Sequence, residues 1–467
     1  MEISSLTLRQ IIKLLEKGEI SSYELCQFYL TRIKKFDKNI RSFITVREDV
    51  LKEAKIADSE RKKGTKKPLL GIPFGIKDNF LTKGTKTTSA SNVLSDYIPQ
   101  YDSTVVARLK HAGALIIGKT NLDAWGHGSS GEHTDYGVTN NPYAKGYVTG
   151  GSSSGSSAAV ASHFCSAATG SDTGGSNRQP ASYCNIVGLK PSYGRVSRYG
   201  VIAMASSTDC MGLLTRNVWD SAYILSVIAG YDPLDSTSKD VPVPDYAKEM
   251  SKPFKARIGV PKEFFDGIDS QVSEKVQTAL TILKNKGHKL IPVSIPYVKY
   301  AYPIYAVVQT SEVSANLARF DGIRYGNGRE IFGDEAKRRI MIGTHSLSSG
   351  YADKYYKQAL KGRTLLIADF ERVFNSVDLI AGPVYPFRPF KHGEREADPL
   401  KMYLSDVLTV PANLTGHPGI SVPIEFVNGF PTGFQLIAPH FSESRMFKVG
   451  LDIEQELQMF KVKPKLW

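Results

Sequence analysis

The chain has 467 residues, enough for one large α/β unit or two to three ordinary ones, and its 41% hydrophobic and 22% charged content excludes a disordered chain. No apolar stretch approaches the ~18 residues that span a bilayer, so no membrane association is expected. The net charge of +13 invites a nucleic-acid reading, but Lys and Arg are scattered in short groups such as Arg61-Lys62-Lys63 and Lys66-Lys67; this suits a complex that handles RNA better than autonomous RNA binding.

Residues 1–20 mix Glu2, Glu16 and Glu19 with Arg9, Lys13 and Lys17 and lack an apolar signal core, so the expectation is a mature cytoplasmic chain that starts here. Cys26, Cys165, Cys184 and Cys210 show no C-x-x-C pair and no metal-ligand spacing with histidine. Neither a metal nor a disulfide framework is expected.

In chain order, Ser4 or Ser5 is expected to cap a helix with Leu8, Ile11, Ile12 and Leu15 on one face and Gly18 as its stop. Ser21 with Glu24 forms a capping-box pattern ahead of Leu25, Phe28, Tyr29 and Ile33. Residues 1–68 therefore read as outer helices. From residue 69 the texture changes to short apolar runs bounded by Gly, Pro, Asn and Asp, namely LLGIPFGI, ALIIGKT, ARIGVP and VDLIAGP, which read as buried strands alternating with helices. Residues 231–255, beginning near DPLDSTSKDVPVPDY, carry turn chemistry and neither period, so they read as a long connection between a core at 69–215 and a second part at 256–467. Strand-like runs on both sides can feed one sheet, and the fold class is α/β.

Two patterns are decoys. GALIIGKT, from Gly113 to Thr120, fits G-x-x-x-x-G-K-[ST], yet its interior is an apolar β run where a phosphate loop needs backbone N–H groups turned on an anion. Gly151-Ser152-Ser153-Ser154-Gly155 fits G-x-S-x-G and would make Ser153 the nucleophile of a hydrolase elbow, served by one of several later histidines. That reading gives no role to GSDTGGS, starting at Gly170, or to Lys77 in GIPFGIKDN.

Taken together, GGSSSGSS, GSDTGGS and Lys77 suggest a hydrolytic serine site whose base is a lysine, with glycines that let N–H groups crowd around an oxyanion. A lysine with its usual pKa of about 10.4 is protonated at neutral pH, so this role needs burial to lower it by about 3 units. The neighbours of Lys77, Ile72-Pro73-Phe74-Gly75-Ile76, favour burial.

From roughly Leu6 to the C-terminus these segments resemble the amidase signature family. The resemblance implies a single large mixed β-sheet flanked by helices. It also implies Ser176 as nucleophile, Ser152, joined to Gly151 by a cis peptide, as the intermediate serine, and Lys77 as general base. The N–H groups of Thr173, Gly174, Gly175 and Ser176 would form the oxyanion hole, with Asp172 and Arg178 bracing the loop. Within the family, SEVSANLARFDGIRYG, EAKRRIMIGTHSLSSGYADKYY, DPLKMYLSDVLTVPANLTGHPGISVP and GLKPSYGRVSRYGV make the chain similar to the A subunits of tRNA-dependent amidotransferases.

This closer resemblance implies a glutaminase. Asp406 would pair with the α-ammonium of glutamine, Arg339 with its α-carboxylate, and Tyr305 would lie beside them. It further implies B and C partner subunits, with ATP and Mg²⁺ used by the B subunit on mischarged Glu-tRNA(Gln) or Asp-tRNA(Asn), and no cofactor or metal in this chain. Ser154, Asn177, Ala124, His127 and His417 depart from the usual pattern. A stand-alone amidase of the same family acting on small amides is the alternative.

Overall fold

The computed structural model describes residues 3–324, 326–395 and 404–467. Tyr325 and residues 398–403, which carry part of two stretches quoted for the resemblance, lie outside the described residues. The strands are β1 (Phe43–Val46), β2 (Pro73–Lys77), β3 (Leu115–Thr120), β4 (Asn140–Asn141), β5 (Ala144–Val148), β6 (Ala167–Asp172), β7 (Val187–Lys190), β8 (Cys210–Thr215), β9 (Arg257–Pro261), β10 (Lys289–Val293), β11 (Leu379–Pro383), β12 (Gly419–Val427) and β13 (Phe430–Ile437). All but the β4–β5 hairpin join one sheet of 11 strands in the order β1-β3-β2-β6-β8-β7-β12-β13-β11-β9-β10.

The sheet is mixed because two parallel groups, β3-β2-β6 and β11-β9-β10, are joined by antiparallel pairs. All four apolar runs singled out in the sequence form strands of this sheet, as β2, β3, β9 and β11. Strands β2, β3 and β11 are buried along their whole length, which is why they read as continuous apolar runs rather than alternating ones. Ile116, Ile117, Leu213, Leu214 and Leu436 are each at most 1% exposed; burial of such a side chain contributes about 1.5–3 kcal/mol.

Helices cover the sheet. The first, Leu8–Lys17, buries Leu8, Ile11 and Leu15 and stops at Gly18, whose φ of 71° suits glycine. Its cap is Thr7, not Ser4 or Ser5. Thr7 Oγ1 accepts from Gln10 N at 3.3 Å, while Thr7 N donates to Gln10 Oε1 at 2.8 Å. Ser4 and Ser5 have Thr7 and Leu8 three residues on, so neither can complete the reciprocal box. Thr7→Ala is expected to cost this helix about 1 kcal/mol, read as roughly 5-fold faster hydrogen exchange in its first turn; unchanged exchange would move the cap elsewhere. The Ser21–Glu24 box opens the helix Ser22–Ile40 as expected.

The stretch 231–255 is mostly irregular, but it contains one helical turn, Tyr246–Glu249, that its sequence did not announce. Tyr246 is fully buried, packs edge-on against Phe447 and donates to Glu443 Oε2. A single deep aromatic anchor leaves no period to read.

Two features place the site. Strands β2 and β6 pair in parallel, so Lys77, the last residue of β2, and Asp172, the last of β6, emerge at the same edge. The helix Ser154–Ala161 precedes β6 and the helix Arg178–Tyr183 follows it. Both serine segments therefore lie at the carboxyl ends of adjacent parallel strands, where open α/β sheets form their clefts.

Candidate active site

Lys77 is fully buried, and its Nζ lies 2.8 Å from Ser152 Oγ, 2.9 Å from Ser153 Oγ, 2.9 Å from Ser171 Oγ and 3.2 Å from Ser171 O. Burial brings its pKa down to about 7, against the upward pull of Asp123, Asp172 and Asp209. A lysine surrounded by hydroxyls and close to neutrality can exchange a proton with them, which a surface lysine cannot do at neutral pH. The Gly151–Ser152 peptide is cis, as the resemblance implied.

Ser176 lines a cavity of about 240 Å³ and is held to the serine segment by Ser153 N–H, which donates to Ser176 O at 3.2 Å. The loop before it is braced by a fully buried ion pair. Asp172 Oδ1 and Oδ2 each lie 3.0 Å from the Arg178 guanidinium, which also donates to Thr409 O, Gln435 Oε1 and Asn413 Oδ1. All five guanidinium N–H groups are engaged, which offsets the desolvation that an incomplete buried pair would suffer. Burial opposes ionisation of Asp172, but Arg178 dominates with its neighbours and holds the carboxyl at about 2.

The four N–H groups expected for the oxyanion hole are not equivalent. Gly175 N–H donates to Asp172 Oδ1 at 2.8 Å, and Thr409 Oγ1 donates to Gly174 O at 2.6 Å. The peptide between these glycines is thus fixed at both ends, and its N–H serves the brace. Among the described residues no backbone acceptor occupies the N–H of Gly174 or Ser176. A Cβ on Gly174 would press on the Tyr305 ring and hydroxyl, and one on Gly175, whose φ is 140°, would collide with Thr409. These two glycines are required by close approach and backbone conformation.

The same cavity brings in Tyr305, Arg339 and Asp406. Arg339 is not a surface charge; it is 8% exposed, donates to Glu335 Oε1 at 2.7 Å and Gln309 Oε1 at 2.8 Å, and sits on the helix Asp334–Leu347. Burial raises Asp406 to about 7, with Arg339 and a hydrogen bond from Ser129 pulling the other way. Burial pushes the Tyr305 hydroxyl up, so it remains a donor. The cavity therefore offers an opposite-charge pair beside a serine hydroxyl.

Neither decoy survives. Lys119 and Thr120 lie inside β3, where Lys119 pairs with Asp78 at 3.2 Å, both fully buried. Ser153 is fully buried, and its hydroxyl oxygen contacts Lys77, Asn177 and Ser171 rather than a histidine.

Sequence reasoning missed several partners. Ser171 and Asn79, whose Nδ2 donates to Ser171 Oγ at 3.0 Å, lie within the quoted GSDTGGS and GIKDN motifs, so their signal was present. Glu335 could have been found as the i, i+4 partner of Arg339. Gln309, 30 residues from Arg339, carried no such signal.

A family model described as Amidase matches residues 24–447. The A subunit of glutamyl-tRNA(Gln) amidotransferase from Caldanaerobacter subterraneus subsp. tengcongensis is 48% identical, with 100% of this chain and 99% of that relative covered. Its counterpart of the same name from Geobacillus kaustophilus is 47% identical, with 100% of both covered. A crystal structure of the glutamyl-tRNA(Gln) amidotransferase A subunit from Thermotoga maritima superposes with a TM-score of 0.87 at 38% identity, covering 100% of this chain and 99% of that one. With the 11-stranded sheet in place, the chain belongs to the amidase family and, within it, to the glutamyl-tRNA(Gln) amidotransferase A subunits.

Proposed function

We propose that this chain is the glutamine-hydrolysing subunit of a tRNA-dependent amidotransferase. The observation that carries the reading is the shared cavity, in which Ser176 stands beside Asp406 and Arg339. An amino-acid substrate bears one charge of each sign at its α-carbon, and a fixed carboxylate and guanidinium orient it so that its side-chain amide meets the serine. At about 240 Å³ the cavity is smaller than the roughly 300–1,000 Å³ typical of drug-sized ligands, which suits a small polar substrate. A stand-alone amidase for uncharged amides has no use for this pair.

In the reaction, neutral Lys77 accepts a proton from Ser152 as Ser152 takes one from Ser176, and Ser176 Oγ attacks the amide carbon. The oxyanion rests on free loop N–H groups, those of Gly174 and Ser176 among them. Collapse returns the proton through Ser152 to the leaving nitrogen, which departs as ammonia and leaves a glutamyl ester on Ser176. Water then adds with the same base, and breaking the ester restores Ser176 with its proton and releases glutamate.

The two relatives from Caldanaerobacter and Geobacillus are by name single components of multi-subunit amidotransferases. In this reading a B subunit receives the ammonia and uses ATP and Mg²⁺ on Glu-tRNA(Gln) or Asp-tRNA(Asn) in the cytoplasm, and a C subunit clamps the pair. The chain needs no cofactor of its own and meets tRNA mainly through the B subunit. Among the described residues no helix is long and apolar enough to cross a membrane.

Unrestrained hydrolysis would waste ammonia, so steady-state glutaminase rates should rise at least about 10-fold from the isolated chain to the assembled complex with ATP and mischarged tRNA. Such a rise needs only about 1.4 kcal/mol of differential stabilisation. Full activity of the isolated chain, unchanged by the partners, would instead favour the stand-alone amidase.

A further inference from the structure

The hydrogen bonds around Lys77 have a direction, and it is set from outside the triad. Asn177 Nδ2 donates to Leu189 O at 3.0 Å, which fixes the amide orientation and aims Asn177 Oδ1 at Ser153. Ser153 Oγ lies 3.0 Å from that oxygen and 3.4 Å from its other acceptor, Ser171 O, so its one proton goes to the nearer Asn177 Oδ1. Only lone pairs then remain for Lys77 Nζ, 2.9 Å away. Ser171 Oγ, which receives an N–H from Asn79 Nδ2, and Ser171 O offer a second acceptor. A neutral amine has two N–H bonds and one lone pair. Directing the N–H bonds to Ser153 and Ser171 leaves the lone pair for Ser152, 2.8 Å away.

A second observation shows that the fold makes room for this amide. A Cβ at Gly170 in β6 would strike Asn177 Oδ1, and one at Gly212 in β8 would strike Asn177 Nδ2. Two adjacent strands thus carry glycines where the amide lies against them.

We propose that Asn177 is a positioning residue which, by holding the Ser153 hydroxyl proton, keeps the lone pair of neutral Lys77 aimed at Ser152. The inference rests on Lys77 acting as the base. Without the Asn177 oxygen, the Ser153 hydroxyl keeps only the longer contact to Ser171 O, at 3.4 Å, and is free to turn and donate to that lone pair. This competes with Ser152, slowing turnover, and stabilises the neutral amine over the ammonium. The acid limb of the pH–rate profile then moves to lower pH. The charged groups that face Lys77, Asp123, Asp172 and Asp209, are unaltered by the change.

The test measures glutaminase kinetics of the full chain assembled with its partner subunits, for N177L, N177A, S153A, S153A/N177L and K77A, with folding checked by thermal melting. The expected result for N177L and N177A is a kcat about 10-fold or more lower, an unchanged KM and an acid limb at lower pH. Adding N177L to S153A should change neither kcat nor the limb, because the hydroxyl through which Asn177 acts is gone. Equal losses in both backgrounds would make Asn177 a packing residue and overturn the proposal, as would wild-type kcat and limb in the single variants. Retained activity in K77A would overturn the base assignment itself, an outcome distinct from failure of the Asn177 role.

Discussion

Ser176→Ala should abolish glutamine hydrolysis, a loss on the order of 10⁶-fold in kcat by comparison with other serine nucleophiles, while glutamine still binds. The hydroxyl is the only part of the residue that changes. The loop that holds it is pinned by Asp172, Arg178 and Thr409, none of which contacts the Ser176 side chain through the hydrogen bonds that form the brace. Lys77→Ala should cost about 10²–10⁴-fold or more, the range of a general base. Lys77→Arg should be nearly as damaging, since a guanidinium keeps its proton near neutral pH and this site is fully closed. Single-turnover ester formation and equilibrium glutamine binding check these outcomes. Retained turnover in Ser176→Ala would move the nucleophile elsewhere, and recovery in Lys77→Arg would remove the proton-accepting role.

The second large effect is expected at Asp406. Asp406→Asn should raise KM for glutamine about 10- to 150-fold, the equivalent of one charge-assisted bond of roughly 1.5–3 kcal/mol, and leave hydrolysis of a small uncharged amide little changed. The pH dependence sharpens the test. Lys77 must be neutral to accept a proton, and Asp406 must be ionised to meet the ammonium; burial places both near 7. For the wild type, log kcat/KM for glutamine should therefore fall with a slope approaching two as pH drops below about 7. In Asp406→Asn only Lys77 of these two groups still titrates, so the slope just below 7 should approach one. An unaltered slope, or equal losses on glutamine and the uncharged amide, would remove Asp406 from substrate recognition. Arg339→Leu should raise KM similarly, but it also takes from Glu335, which burial opposes ionising, one of its two guanidinium partners and leaves only the half-exposed Arg338, so Asp406→Asn is the cleaner variant.

Features that depend on near neighbours are legible in the linear chain. Burial on both faces makes β2, β3, β9 and β11 legible as apolar runs. The box at Ser21 and Glu24 is legible because both partners lie within one helical turn. Lys77 and the two serine segments were legible because their chemistry and glycine pattern are local, and apolar neighbours announced the burial that brings the amine to about 7. The same local rule misplaced the first cap, where three hydroxyls precede the helix and only Thr7 has Gln10 at the right distance.

The remaining features arise from contacts between distant parts of the chain. Arg178 meets Asn413 and Gln435 across 235 and 257 residues of chain, and the order of the sheet rests on pairings such as Gly188 with Ser421. Whether Arg339 faces a cavity or solvent depends on Gln309, from another helix, and Asp406 joins them only because the chain returns there. The direction of the hydrogen bonds at Lys77 is decided by Asn177, whose amide is oriented by a carbonyl on β7 and accommodated by glycines on β6 and β8. Such groups meet through long-range burial, and a linear reading contains no term for which distant surfaces will exclude water together.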